Sequence, residues 1–222
     1  VETGVARKPI DDWDAYRDQL EARLGKSYSV MRGVYNKAKR VNRKLVMPEG
    51  HNLKVLRATQ ILLDEGIADI ILIGKAEAIR KKAKENALNI DAAEIVDMEN
   101  FPQIENYVDE LFQLRHRKGL TKNAAKRLLT NYHNYMGAMM VKMGYADAML
   151  SGVTHYYPEV IRPALEIFQT EEERKVVAGV YAIIMQNEMF FFADTTVNIN
   201  PSAETLAQTA ILTADEVKRL FD

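Results

Sequence analysis

Apolar positions along this chain alternate between short continuous runs and stripes at helical spacing. Leu45-Val46-Met47 is a short run, followed by the turn Pro48-Glu49-Gly50 and by a stripe of Val55, Leu56, Ala58, Thr59, Ile61 and Leu62 that Gly66 stops. Ile70 to Ile73 is a second run, continuous rather than alternating, as a strand covered on both faces requires. A charged helix is expected from Ala76 to about Glu85, and Ile95-Val96 supplies a third strand. Strand and helix alternating at this spacing predict βαβ units. The fold expected is α/β, a three-layer αβα arrangement with a mainly parallel sheet, preceded by an N-terminal helix.

That first helix is capped by Asp11 or Asp12, carries Trp13, Tyr16, Leu20 and Leu24 as one stripe and closes at Gly25. Its stripe must be buried, either on its own domain or on another domain or subunit. Farther on, Tyr107, Val108, Leu111, Phe112 and Leu114 mark a helix from Ile104 to Arg117 that ends at Gly119. Thr121 caps the next helix, and Tyr135 to Met143 makes another before Gly144, its Met139, Met140 and Met143 reading as core filler. Val176 to Ile184 and Met189 to Ala193 are apolar enough for buried strands, with a turn at Gln186-Asn187-Glu188. The Asp, Thr and Asn residues from Asp194 to Asn200 favour a turn, and a last helix begins at about Ser202.

Between these parts lies the stretch that carries candidate chemistry. Ala148 to Leu150 reads as a buried strand opening at Ser151-Gly152 into a small-residue loop; Pro158 then suits the first turn of a helix bearing Val160, Ile161, Ala164, Leu165 and Phe168. In an open α/β sheet such a strand, loop and helix direct strand ends and free helix N–H groups at an anion. Arg162, one turn inside the helix, can add a planar bidentate donor.

Composition narrows the chemistry further. The chain has 222 residues, 47% of them hydrophobic and 27% charged, ordinary values for a globular protein of one or two domains. A formal net charge of −1 gives no global attraction to nucleic acid or to an anionic membrane. Lys37, Lys39, Arg40, Arg43 and Lys44 read as a solvated basic helix end, the alternative being a patch for a ligand's phosphates. With no cysteine there is no disulfide framework, thiolate zinc site or cysteine nucleophile, and the four histidines form no i, i+4 pair that would suggest a metal site. No G-x-G-x-x-G or P-loop pattern occurs, and neither a signal peptide nor a membrane-spanning run is present, so the cytoplasm is the expected location.

Several segments together resemble the phosphate acetyltransferase (phosphotransacetylase) family. The carriers are Ser151-Gly152-Val153-Thr154-His155 before Ile161-Arg162-Pro163-Ala164-Leu165, the turn Leu114-Arg115-His116-Arg117-Lys118-Gly119, and Phe192-Ala193-Asp194-Thr195-Thr196-Val197-Asn198-Ile199-Asn200-Pro201. Pro48-Glu49-Gly50, Leu56-Arg57-Ala58 and Ile73-Gly74 stand at the family's first βαβ unit, with Asn52 and Lys54 departing from its usual acidic residue and arginine. The resemblance implies that Arg115 and Arg162 bind a phosphate-bearing substrate or coenzyme, that Ser151 and Gly152 offer polar contacts, and that His155 lies beside them. A helix-capping role for Arg115 and a backbone-holding role for His155 stay open. The family's catalytic serine, arginine and aspartate lie beyond the matched stretch, so no catalytic residue is expected within it. Gly4 to Ile10 and the helix after it resemble the junction of hybrid malic enzymes, and a start at Val1 without Met fits a fragment of a longer chain. The organisation implied is residues 1–34 joining a preceding domain, 35–150 as a first subdomain and 151–222 as a truncated second. Acetyl-CoA or coenzyme A is the implied ligand, homo-oligomerisation and the preceding malic enzyme domain the implied partnerships, with NADP and a divalent metal confined to that preceding domain. Regulation of an NADP-dependent malic enzyme is the implied role, with catalytic phosphate acetyltransferase and pure dimerisation module as alternatives.

Overall fold

A computed structural model describes residue 10 and residues 12–170, 176–185 and 188–221; the side chains of residues 17–29 are outside that description. The expected linker over residues 1–9, the Asp11 cap, the Leu20 and Leu24 members of the first stripe, and Gln186 and Asn187 of the expected turn all lie outside the described residues. The first helix, α1 (Trp13–Val41), does not close at Gly25 but runs on to the basic end at Lys39 and Arg40. A single internal glycine costs roughly 1 kcal/mol relative to alanine, and the helix formers around it outweigh that. The chain falls into two compact units, residues 38–171 and residues 1–37 with 172–222.

Residues 38–171 build a four-stranded sheet from β1 (Arg43–Met47), β2 (Ala68–Ile73), β3 (Glu94–Val96) and β4 (Ala148–Met149), in the order β3-β2-β1-β4. Every pairing is parallel. The strands divide their side chains between two cores. Met47, Ile70 and Leu72 turn to a cluster with Val55, Leu56, Ile79 and Ala83 of α2 (Leu53–Asp64) and α3 (Ala76–Glu85). Val46, Ile71 and Ile73 turn the other way, to a larger cluster with Leu111, Leu129, Met136, Met139 and Ile167. Those residues come from α4 (Ile104–Arg115), α5 (Lys122–Asn131), α6 (His133–Lys142) and α7 (Tyr157–Phe168). Helices on both faces of a parallel sheet complete the three layers, and burial on both faces accounts for the continuous apolar runs. Met139 and Met140 are core residues, as their spacing suggested, whereas Met143 is 40% exposed at the helix end.

The other unit contains an antiparallel ribbon of β5 (Val180–Ile184) and β6 (Met189–Ala193), followed by α8 (Ala203–Phe221). Phe191 and Phe221 pack with ring centroids 5.4 Å apart. Composition predicts buried strands here. Instead Tyr181, Ile183, Phe190 and Phe192, which lie on one face because Tyr181 pairs with Phe192 and Ile183 with Phe190, are all exposed. Among the described residues α8 meets the opposite face, where Phe191 packs on Phe221, and leaves this one open. No helix among the described residues is long and apolar enough to cross a membrane.

Candidate functional site

Strand order places the site. From β1 the chain winds outward through β2 to β3 and then returns to place β4 on the opposite side of β1. The sheet therefore has a topological switch point between β1 and β4, and the loops leaving the carboxyl ends of those strands diverge into a crevice. After β1 comes Pro48-Glu49-Gly50-His51; after β4 comes the loop 151–155. Backbone pairing aligns them, since Leu150 N–H donates to the Val46 carbonyl across 3.0 Å.

Glu49 binds the two loops together. It is only 1% exposed, and its carboxylate accepts hydrogen bonds from Gly152 N and Val153 N at 2.9 Å and from Thr154 N and Thr154 Oγ1 at 2.5 Å. His155 Nδ1 is 3.1 Å from the same group. Burial by itself pushes the carboxyl up, but the hydrogen bonds from Thr154, Val153 and Gly152 outweigh it and lower the pKa to about 2. Gly50 makes the turn possible, because a Cβ there would stand 2.8 Å from the Ile73 carbonyl oxygen. Gly152 has φ +116°, a left-handed backbone region that glycine reaches without strain.

Beside this knot a cavity of about 410 Å³ is lined by Asn131, Tyr132, His133, Asn134, His155 and Arg162, among others. Glu159 is the one carboxylate in its wall, and Glu159 Oε2 already accepts from Tyr156 N at 3.2 Å. His133 is held below its usual value, first by burial and then by His51 and His155. The His51 and His133 rings have centroids 6.2 Å apart. A wall of one arginine, imidazoles and amides around a half-enclosed space suits an anion carrying hydrogen-bonding groups.

The five residues singled out from the sequence separate into those at the cavity wall and those behind it. Arg162 and His155 line it. Ser151 Oγ donates to Asn134 Oδ1 at 2.7 Å, and Asn134 is itself in the wall. Gly152 N–H, expected to face a ligand, is taken by Glu49. Arg115 stands behind the wall, its Nη2 3.4 Å from Glu166 Oε1, while Glu166 Oε2 accepts from Tyr135 OH at 2.8 Å. Burial and the Glu166 hydrogen bond together push the Tyr135 phenol up to about 12. Glu49, His133, Asn134 and Glu166 were not anticipated as site residues. Glu49 alone carried a signal, an acidic residue directly after a strand at a glycine turn; the others are brought in by helices that tertiary packing places.

The sequence profile of the family described as Phosphate acetyl/butaryl transferase matches residues 29–222. The chain belongs to this family. A phosphate acetyltransferase from Thermoanaerobacterium thermosaccharolyticum is 37% identical over 199 residues, covering 87% of this chain and 60% of that protein. An NADP-dependent malic enzyme from Salmonella typhimurium is 34% identical over 222 residues, covering 99% of this chain but only 29% of that protein. A phosphotransacetylase structure from Streptococcus pyogenes superposes with a TM-score of 0.82 at 31% identity, over 87% of this chain and 59% of that one. The chain therefore spans under a third of its malic enzyme relatives and about three fifths of these phosphotransacetylases. Coverage differs between the groups, since four malic enzymes each match 99% of the chain and four phosphate acetyltransferases match 83% to 90%.

Proposed function

We propose that this chain is the acetyl-CoA-sensing, phosphotransacetylase-like regulatory domain of an NADP-dependent malic enzyme. The observation that carries the reading is coverage: residues ahead of the family profile, 1–28, align with malic enzymes, which match 99% of the chain. The ligand is acetyl-CoA or coenzyme A, bound in the cavity at the switch point. Arg162 supplies the cationic contact to a phosphate, and Ser151, through Asn134, orders the wall. Arg115 acts from behind by fixing Glu166 and Tyr135, and His155 faces the ligand. NADP and the divalent metal belong to the malic enzyme's own catalytic domain. Regulation then requires that acetyl-CoA bind two states of the parent protein unequally. The exposed apolar face of β5 and β6 supports the oligomerisation part of the role, a second copy being the partner.

Calorimetric titration of the chain with acetyl-CoA tests the reading. Arg162→Ala should weaken binding by ~1.5–3 kcal/mol, the worth of a hydrogen bond to a charged group. Unchanged affinity rejects the assignment of Arg162. The second reading, a catalytic phosphate acetyltransferase, is favoured by the 37% identity to an enzyme of that name. Formation of acetyl-CoA from acetyl phosphate and coenzyme A by the parent protein would decide for it.

A further inference from the structure

His155 is better organised than a loop histidine needs to be. Its Nδ1 is 3.1 Å from Oε1 of Glu49, a residue 1% exposed, while the imidazole side chain itself keeps 31% of its surface accessible and lines the cavity. Glu49 is fixed in turn by the N–H groups of residues 152, 153 and 154, so it cannot follow the ring if the ring turns. An ionised carboxylate only accepts, so the proton between the two groups must sit on Nδ1. In the neutral imidazole Nε2 then keeps its lone pair, and among the described residues nothing donates to it.

We propose that Glu49 is a positioning residue that locks His155 in the Nδ1–H tautomer, so that Nε2 accepts a hydrogen bond from an S–H or O–H of the ligand beside the Arg162 cation. The inference rests on the ligand reading above and deepens it. A cation alone attracts any anion. A cation beside an acceptor selects a ligand that also carries a proton to share: a phosphate in its monoprotonated form, which acetyl-CoA and coenzyme A both can present, or the neutral thiol, which coenzyme A has and acetyl-CoA lacks. No proton need be transferred. Glu49 contributes orientation, the part a buried carboxylate plays whenever it fixes which ring nitrogen is protonated.

Nitrogen-15 spectra of the histidine-labelled chain at neutral pH test this, with His155→Gln identifying the signal. The expected result is a protonated Nδ1 and an unprotonated Nε2 for His155. A ring protonated on Nε2, or one averaging between tautomers, overturns the role of Glu49 on the wild-type chain alone, so misfolding of Glu49→Ala would not protect the idea. In a folded Glu49→Ala chain the Nε2–H form should appear; an unchanged tautomer would equally reject the lock. Adding coenzyme A, acetyl-CoA or inorganic phosphate then distinguishes the sources. A shift of Nε2 with coenzyme A but not acetyl-CoA points to the thiol, and a shift with phosphate points to a phosphate hydroxyl. His155→Gln should weaken binding of whichever ligand shifts Nε2 by ~5- to 10-fold. If ligands bind by calorimetry while Nε2 stays unmoved, the acceptor role fails and the ligand reading survives. If none binds, the ligand reading and the acceptor role fall together, while the tautomer still judges Glu49.

Discussion

Glu49 and Asp194 are held by the same device in regions built on opposite terms. Each is a carboxylate wrapped by backbone N–H groups: Glu49 by residues 152–154, Asp194 by Gly179 at 2.9 Å, Thr196 at 3.2 Å, Val197 at 3.1 Å and Asn198 at 2.7 Å. Both carboxyls are lowered, the hydrogen bonds outweighing burial in each case. Around Glu49 stand two apolar cores. Around Asp194, in residues 1–37 with 172–222, Thr209 is the one buried residue among those described, and aromatic side chains face outward. A carboxylate knot can therefore fix a loop where the described residues around it form no core, but it cannot bury apolar surface. The first region carries two apolar cores and the site, whereas in the second the described apolar residues of one ribbon face are exposed.

Truncations in the two regions should separate most widely. Leu111→Ala, at a side chain with no exposed surface, should cost ~2–5 kcal/mol in urea unfolding, while Phe192→Ala, 52% exposed, should cost under ~1 kcal/mol. Comparable losses would mean that the second region hides a core after all. Acid comes next. Because the folded pKa of Glu49, about 2, lies below the ordinary 4.5, its stabilisation is complete above pH 4.5 and drains away as pH falls towards 2. The loss is on the order of 3 kcal/mol. Denaturant midpoints measured from pH 6 down to pH 2 should decline along this window in the wild type and more shallowly in Glu49→Gln.

Glycines sharpen the contrast at smaller scale. Gly50→Ala drives a methyl against the Ile73 carbonyl at 2.8 Å, a backbone atom inside the core, and should cost ~1–3 kcal/mol. At Gly179 the added Cβ meets Thr196 Oγ1 at 2.5 Å, a side-chain atom beside an exposed ribbon rather than backbone inside a core, so Gly179→Ala should shift the melting temperature less. The smallest effect belongs to Tyr107→Phe. The Tyr107 hydroxyl is buried with no hydrogen-bond partner among the described residues, so its removal should be neutral or stabilise by up to ~1 kcal/mol. Clear destabilisation in calorimetry would reveal a hydroxyl partner.

Periodicity made the parallel sheet legible because strands buried on both faces must be apolar throughout, as Ile70 to Ile73 are. Thr121 announced the α5 cap and accepts from Ala124 N at 3.2 Å as a threonine there should. Gly25 misled, because local propensity is a weak opponent of a long helix. β5 and β6 misled more usefully: their composition says that they want cover, and composition carries no information about whether cover is present.

Two arginines, a serine, a glycine and a histidine could be picked out because chemistry and family resemblance both mark those residue types. What they touch was not legible. Glu49 lies 102 positions from Ser151 and 106 from His155 in sequence, and only the β1–β4 pairing makes them neighbours. By itself the sequence determined the alternation of strand and helix, the family and the loop after β4, since these rest on local pattern. The tertiary structure decided that the loop's N–H groups close on Glu49, that Arg115 stands behind the wall, and that Arg162 and His155 share one cavity. Strand order at the switch point sets those distances, and strand order follows from the packing of whole helices over both faces of the sheet.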